Sequence, residues 1–214
     1  MTKLLYVRTS PRGEASKSIQ IADAYLATYR EAYPDAEIET VDLWDLGLPE
    51  FDGDSAASKM SFFGEAGMTE KQKAIYAELV RLFEQFNSAD DYLFAIPMWN
   101  FGVPYKLKQY IDLLSMPGTL FGFDPAEGYI GLLKGKRATA VFSAAIYHDG
   151  APKAFGTDHV STFFTDWLNF AGISDVETIW YQKYKMVSAA EADIRLAAAQ
   201  SQARAAARRP GARA

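Results

Sequence analysis

The chain has 214 residues, of which 49% are hydrophobic and 23% charged, and its formal net charge is −5 at pH 7. This length suits one α/β domain with a large core, and the acidic balance argues against nucleic acid as a partner, because binding phosphates requires a basic face. The lack of cysteine excludes disulfides and thiolate chemistry, and two histidines are too few for a histidine-rich centre, so we expect no metal. No apolar run approaches the roughly 20 residues of a membrane span, and no signal-peptide pattern precedes the first strand. We therefore expect a soluble cytoplasmic protein that does not bind membranes.

The predicted elements alternate between strands and helices along the whole chain. Apolar residues at helical spacing indicate the helices, and short apolar runs indicate the strands. In chain order we predict a strand at residues 3–7, a helix at 16–33, a strand at 36–42, a helix that Thr69 caps and that runs to residue 86, a strand at 91–96, a helix at 104–114, a strand at 136–143, a helix at 159–171, a strand at 176–181 and a final helix at 189–209.

Two connections are longer than a compact domain usually needs. Residues 43–67 mix glycines, acids and isolated aromatics and predict an ordered loop with room for one short helix, and residues 115–132 predict a second long loop. Connections of this length are usually functional. Residues 204–214 predict a basic tail that frays at its end. Residues 1–214 as a whole predict a single domain, because no internal repeat and no second domain are apparent.

Five strands that alternate with helices predict an α/β protein with a doubly wound, five-stranded parallel sheet and helices on both faces. We expect the strand order 2-1-3-4-5, in which the first and third strands are neighbours. The loops that follow these two strands would then lie side by side at the carboxyl edge of the sheet, where open α/β sheets bind ligands.

A hydroxyl-rich loop follows the first strand and opens the first helix. Ser10, Ser16 and Ser18 offer hydroxyl donors beside the free N–H groups and the positive dipole end of that helix, which suits a phosphate group. The alternative is that Ser16 or Ser18 only caps the helix, which is the commoner role of serine at this position. The glycine fingerprints of triphosphate and dinucleotide sites are absent.

An aromatic loop follows the third strand. Met98, Trp99 and Phe101 supply a flat apolar surface, Asn100 supplies an amide, and Gly102 permits a close backbone approach. The alternative is that these aromatics are buried under a neighbouring helix. The location at the end of a central strand favours a ring-binding site. Together the two loops predict a mononucleotide site, and FMN fits it best.

A third segment, residues 143–150, follows the fourth strand and would close over the same edge. It contains His148, for which a place on the surface is commoner than a catalytic role.

These loops resemble those of the FMN-dependent NADH azoreductases, also described as NADH:quinone reductases, of the flavodoxin-like superfamily. The matching stretches are S-P-R-G-E-A-S-K-S at residues 10–18, P-M-W-N-F-G-V-P at 97–104, G-L-L-K-G-K at 131–136 and F-A-G-I at 170–173. The resemblance implies a flavodoxin-like fold and a set of FMN contacts. These are Ser10, Ser16, Lys17 and Ser18 for the phosphate, Pro97, Met98, Trp99, Asn100 and Phe101 for the isoalloxazine, and Ser143, Ala144 and Ala145 beside it.

The third contact departs from the family pattern. The family has Ser-x-Gly-Gly after the fourth strand, whereas this chain has Ser143, Ala144 and Ala145. Because alanine tolerates a left-handed backbone poorly, at roughly 1 kcal/mol or more, we expect this loop to follow a different path.

The resemblance also implies an activity in which the flavin carries the difficult chemistry. NAD(P)H would pass hydride to the flavin, and a quinone or an azo compound would then take its place and accept two electrons, by a ping-pong mechanism. Asn100, Phe101 and Tyr147 are the candidate catalytic residues, and the two long loops would form walls of the substrate pocket. The alternatives are a flavodoxin-like electron carrier and a flavin-free α/β binding module. The long aromatic loops favour the enzyme over the carrier.

The resemblance further implies a homodimer with the active site at or near the interface. The two long loops contain too many aromatic side chains for a solvated surface, so these either fold back on the sheet or cover a partner. They are Trp44, Phe51, Phe62, Phe63, Phe121 and Phe123.

Overall fold

The computed structural model describes residues 2–61 and 67–209. Its strands and helices follow the alternation predicted from the sequence. In chain order they are β1 (Lys3–Arg8), α1 (Lys17–Ala32), β2 (Glu37–Asp42), α2 (Gly53–Met60), α3 (Glu70–Asn87), β3 (Asp91–Pro97), α4 (Tyr105–Leu114), β4 (Phe121–Asp124), β5 (Gly128–Gly131), β6 (Arg137–Ala144), α5 (Ser161–Ala171), β7 (Asp175–Gln182) and α6 (Ala189–Ala207).

Five parallel strands form the central sheet in the order β2-β1-β3-β6-β7. The predicted order 2-1-3-4-5 is therefore not the literal one, because two strands that were predicted as loop come between β3 and β6 in the chain. These strands, β4 and β5, pair with each other in a separate antiparallel hairpin. The adjacency of β1 and β3, on which the predicted site depends, is confirmed.

The sheet has a hydrophobic core on each face, as a doubly wound sheet requires. Successive residues of β1 point to opposite faces. Leu4 and Tyr6 pack into the core beneath α1 and α6, whereas Leu5 and Val7 pack into the core beneath α3, α4 and α5. Both faces of the central strands are thus buried, which explains why residues 4–7 and 92–96 are apolar throughout.

The first long connection contains the one short helix for which its sequence left room. Asp52 begins α2, because its carboxylate accepts a hydrogen bond from the backbone N–H of Ser55 at 2.9 Å. The predicted cap at Thr69 is also confirmed, since Thr69 and Gln72 form a reciprocal capping box at the start of α3. Phe62 and Phe63 lie outside the described residues.

The carboxyl-terminal part of the described chain is anchored to the sheet. Helix α6 runs to Ala207, and the carbonyl oxygen of Arg209 accepts hydrogen bonds at 2.5 Å from Arg137 Nη1 and from the hydroxyl of Tyr33. Fraying of the basic tail stays a prediction for residues 210–214, which lie outside the described ranges. In residues 2–61 and 67–209, no helix has the combined length and apolar character needed to cross a membrane.

Candidate active site

The three loops predicted to bind one ligand meet at the carboxyl edge of the sheet. Thr9, directly after β1, donates both its N–H and its hydroxyl to the carbonyl oxygen of Ala95 in β3, at 3.3 and 2.8 Å. Met98, directly after β3, donates its N–H to the carbonyl oxygen of Ser143 in β6 at 2.8 Å. Backbone pairing therefore fixes the loops after β1, β3 and β6 relative to one another.

The serines of the first loop form a buried hydroxyl cluster at the start of α1. Ser10, Ser16 and Ser18 are each at most 2% exposed, and the hydroxyls of Ser16 and Ser18 are 3.1 Å apart. Ser16 occupies the N-cap position, yet its side chain accepts no capping hydrogen bond. No side-chain cap therefore occupies the N–H groups of the first helical turn, and they can bind an anion together with the hydroxyls. This geometry does not match the alternative in which these serines serve only as caps.

Lys17 is the first residue of α1, so its backbone N–H belongs to this group of donors. Its side chain turns along the helix, where Nζ donates to the side-chain oxygen of Gln20 at 2.9 Å.

The aromatic loop is a tight turn with an unusual backbone. Trp99 and Gly102 exchange two backbone hydrogen bonds of 3.0 Å. Between them, Asn100 and Phe101 both have a left-handed backbone, with φ of 49° and 70°, which is the pattern of a type I′ turn. Asparagine tolerates this conformation, whereas a bulky residue such as phenylalanine pays roughly 1 kcal/mol or more.

The turn presents its aromatic rings to solvent. Trp99 is 45% and Phe101 49% exposed, so these two rings are not buried under a helix. Met98 is half-buried and packs on the core, and Pro97 is the buried last residue of β3. Exposed flat rings on a strained turn are suited to contact a planar ligand.

A cavity of about 430 Å³ lies between the first loop, the aromatic turn and the beginning of the first long connection. Trp44 forms one wall, and its indole N–H donates to the carbonyl oxygen of Thr9 at 3.0 Å. The rings of Trp44 and Tyr105 lie nearly perpendicular to each other, with their centroids 5.2 Å apart. Sequence reasoning missed Tyr105, for which the only signal was an aromatic residue directly after Pro104. The lining residues are Pro11, Trp44, Trp99, Asn100, Gly102, Val103, Pro104 and Tyr105.

The third segment continues β6 without strain. Ser143 and Ala144 are buried and belong to the strand, and Ala145 follows half-buried. Neither alanine has a left-handed backbone. The path after Ser143 thus suits alanine, and a path different from that of the family stays a prediction.

Tyr147 and His148 do not line the 430 Å³ cavity. The hydroxyl of Tyr147 donates to a carboxylate oxygen of Asp149 at 3.2 Å. Desolvation raises the pKa of Tyr147, and the negative charges of Asp149 and Asp158 raise it further. The phenol therefore stays protonated at neutral pH and can act as a hydrogen-bond donor.

Comparisons with known proteins agree with this arrangement. A family model described as flavodoxin-like fold matches residues 2–206. An FMN-dependent NADH:quinone oxidoreductase of Ruegeria pomeroyi is 45% identical over 182 residues, which cover 85% of this chain and 89% of the relative. One of Desulfotalea psychrophila is 39% identical over 179 residues, covering 84% of each chain. The crystal structure of an azoreductase from Bacillus anthracis superposes with a TM-score of 0.89 at 26% identity, covering 97% of this chain and 99% of that one. The chain therefore belongs to the flavodoxin-like family of FMN-dependent NADH:quinone oxidoreductases.

Proposed function

We propose that this protein is an FMN-dependent oxidoreductase that transfers two electrons from NAD(P)H to quinones and azo compounds by a ping-pong mechanism. The observation that carries the proposal is the buried serine cluster beside an exposed aromatic turn at one sheet edge. The names of the relatives, FMN-dependent NADH:quinone oxidoreductase, and of the structural neighbour, azoreductase, support it.

The first loop fits the phosphate of FMN. Buried hydroxyls without a capping role can turn their hydrogens toward phosphate oxygens. Ser10, Ser16 and Ser18 supply three of them, and the first turn of α1 adds N–H donors and a positive dipole end. We assign these groups, with the N–H of Lys17, to the phosphate.

The loops after β3 and β6 fit a planar ring. We assign residues 97–101 and 143–145 to the isoalloxazine, with the rings of Trp99 and Phe101 excluding water and the Asn100 amide as a directional hydrogen-bond partner. Bound FMN would supply the redox chemistry, accepting a hydride from the nicotinamide and passing two electrons to the acceptor. Tyr147 is a further candidate catalytic residue, as a protonated donor at the rim of the third segment.

The substrate site follows from the shape of the cavity. Trp44 and Tyr105 form an aromatic wall that suits flat, apolar acceptors such as quinones and aromatic azo compounds. We propose that the donor and the acceptor use this one cavity in turn, so that oxidised nicotinamide leaves before the acceptor enters. This order of events is the basis for the ping-pong mechanism.

We also propose a homodimer. Of the six loop aromatics named from the sequence, Trp44 and Phe121 pack within their own chain, whereas Phe51 and Phe123 are exposed. The exposed apolar residues of the hairpin region are Phe123, Tyr129, Ile130 and Leu132. An exposed apolar patch of this kind is typical of an interface.

The proposal is tested on the purified protein. We expect a yellow protein that releases FMN, and no FAD, on heating, and that turns over quinones steadily with NADH or NADPH. Parallel lines in double-reciprocal plots would support the ping-pong order, and intersecting lines would refute it. A colourless protein that fails to bind added FMN would overturn the assignment as a whole.

A further inference from the structure

We propose that Gly156, which lies outside the three loops, is a positioning residue that holds the ring of Phe101 in place. Gly156 is buried and follows a short 3₁₀ turn at Lys153–Phe155. The inference rests on the proposed function, because it gives Gly156 a role only if the aromatic turn binds the flavin.

The contact between Gly156 and Phe101 leaves no room for a side chain. A Cβ atom at position 156 would lie 2.6 Å from Cε1 and 2.7 Å from Cδ1 of Phe101, well inside van der Waals contact. Gly156 also has φ of 111° and ψ of 175°, a backbone conformation that is essentially restricted to glycine. The ring of Phe101 thus packs directly on the backbone of residue 156, while 49% of the residue remains exposed.

A second contact from the same segment holds the backbone of Phe101. The N–H of His159 donates to the carbonyl oxygen of Phe101 at 3.1 Å. Residues 156–159 therefore fix both the ring and the carbonyl group of Phe101.

The supporting segment is itself anchored. The N–H of Gly156 donates to the carbonyl oxygen of Lys153 at 3.0 Å. The carboxylate of Asp158 accepts from the N–H groups of Val160 and Ser161, at 3.0 and 2.8 Å, where α5 begins. Since Val160 is fully buried, the segment is tied to the core of the molecule.

These contacts explain how the strained turn is maintained. The left-handed backbone of Phe101 is unfavourable by itself, and packing against residues 156–159 offsets that cost. A methyl group at position 156 would force the ring away from its support. The ring would then no longer present the same surface to the planar ligand, so FMN should bind more weakly.

The test measures FMN binding to the apoprotein by the quenching of flavin fluorescence. We expect Gly156→Ala to raise the Kd for FMN about tenfold or more and to change the visible absorption spectrum of the bound flavin. Gly135→Ala is the matched control, because Gly135 also has a positive φ, of 65°, but a Cβ there would meet no atom within 4 Å, and Gly135 precedes β6 at the edge of the sheet opposite the site. We expect this control to change the Kd less than about twofold.

A double-mutant cycle separates the steric effect on the ring from backbone strain at position 156. In a Phe101→Ala background the ring is gone, and Gly156→Ala should then change the Kd less than about twofold. If Gly156→Ala alone does not fold, recovery of folding in the double variant would support the steric contact, and failure of both would overturn the inference.

An equal loss of FMN affinity with and without the Phe101 ring would likewise overturn the inference, as would an unchanged Kd in Gly156→Ala. The proposed function fails separately, in the wild-type control, if that protein itself binds no FMN.

Discussion

At the residue scale, two serines at helix N-termini differ in whether their side chains cap the helix. Ser188 begins α6, and its hydroxyl accepts a capping hydrogen bond from the N–H of Glu191 at 3.2 Å. Ser16 occupies the equivalent position of α1 and accepts none. The buried contact between the hydroxyls of Ser16 and Ser18 leaves them able to serve a ligand.

We predict that Ser16→Ala combined with Ser18→Ala weakens FMN binding by roughly 1–3 kcal/mol, about 5- to 150-fold in Kd, because hydrogen bonds to a charged phosphate are lost. The melting temperature of the apoprotein should change little. Titration of apoprotein with FMN and a thermal melt of the same sample measure both quantities.

Ser188→Ala is the matched control for this prediction. It should lower stability by about 0.5–2 kcal/mol, as the loss of a helix cap does, and leave the Kd for FMN unchanged. A fall in stability of the Ser16 and Ser18 double variant with an unaltered Kd would show that these serines are caps after all.

The amide of Asn100 is the second residue for which we predict an effect. Asn100→Ala should lower kcat/KM roughly tenfold, since a directional hydrogen bond near the ring is lost. Trp99→Phe should lower it less, because phenylalanine keeps most of the apolar surface. Steady-state kinetics with NADH and a quinone compare the two variants.

Asn100→Gly controls for the backbone of the turn. Glycine adopts the φ of 49° at this position without strain, so this variant removes the amide and keeps the turn. We expect it to be as impaired as Asn100→Ala. Wild-type turnover in Asn100→Gly would mean that the backbone conformation, and not the amide, is what the site requires.

The sequence allowed some residues of the site to be predicted and left others hidden. The serines and the aromatic turn follow strands directly, so chain position alone placed them at the sheet edge. Tyr105 and Gly156 belong to the site through contacts that form only in the folded chain. The left-handed backbone of Phe101 was equally hidden, because phenylalanine is not a residue that predicts a type I′ turn.

At the element scale, alternation of apolar runs predicted the central sheet but not the hairpin. Strands β4 and β5 have four residues each and contain Gly122, Gly128 and Gly131. Glycine is disfavoured in strands, so local propensity gave no signal. A close contact explains one of these glycines, since a Cβ on Gly131 would lie 2.2 Å from the backbone nitrogen of Gly172. Gly172 itself ends α5 with a left-handed backbone.

A buried ion pair joins the amino ends of β3 and β6, at the opposite edge of the sheet from the site. Arg137 donates from Nε and Nη2 to the two carboxylate oxygens of Asp91, at 2.7 and 3.0 Å, and the hydroxyl of Tyr29 donates to Asp91 at 2.6 Å. Both charged side chains are at most 7% exposed. Arg137 of this pair also holds the segment that follows α6, by donating to the carbonyl oxygen of Arg209.

We predict that Arg137→Gln destabilises the protein by roughly 3–5 kcal/mol, because the buried carboxylate of Asp91 loses its countercharge. Arg209→Ala, which removes the partly exposed ion pairs with Asp175 and Glu177, should cost only about 1 kcal/mol. Urea denaturation measures both effects. The Kd for FMN of folded Arg137→Gln should equal that of the wild type, and a clear rise would show that the ion pair also supports the site.

At the scale of the whole molecule, the hairpin presents an apolar surface that the described residues of the chain leave exposed. Phe123 and Tyr129 pair directly across β4 and β5, with ring centroids 5.4 Å apart, yet they are 62% and 67% exposed. The ring of Phe170, in α5, packs against the ring of Tyr129, with the two centroids 5.3 Å apart. Rigid, exposed aromatic rings on a supported hairpin are the composition expected at the centre of an interface.

We predict that the wild-type protein sediments at twice the mass of one chain at micromolar concentration, burying on the order of 2,000 Å² or more as permanent dimers do. Phe123→Asp together with Tyr129→Asp should shift it to the monomer, because charges would be buried without partners.

Ile194→Asp is the matched control, since Ile194 is 69% exposed but lies on α6, away from the hairpin, and it should leave the dimer intact. If the active site lies at the interface, the monomeric variant should also lose quinone reductase activity. A wild-type protein that sediments as a sharp monomer and still reduces quinones with NADH would refute both the dimer and the shared site.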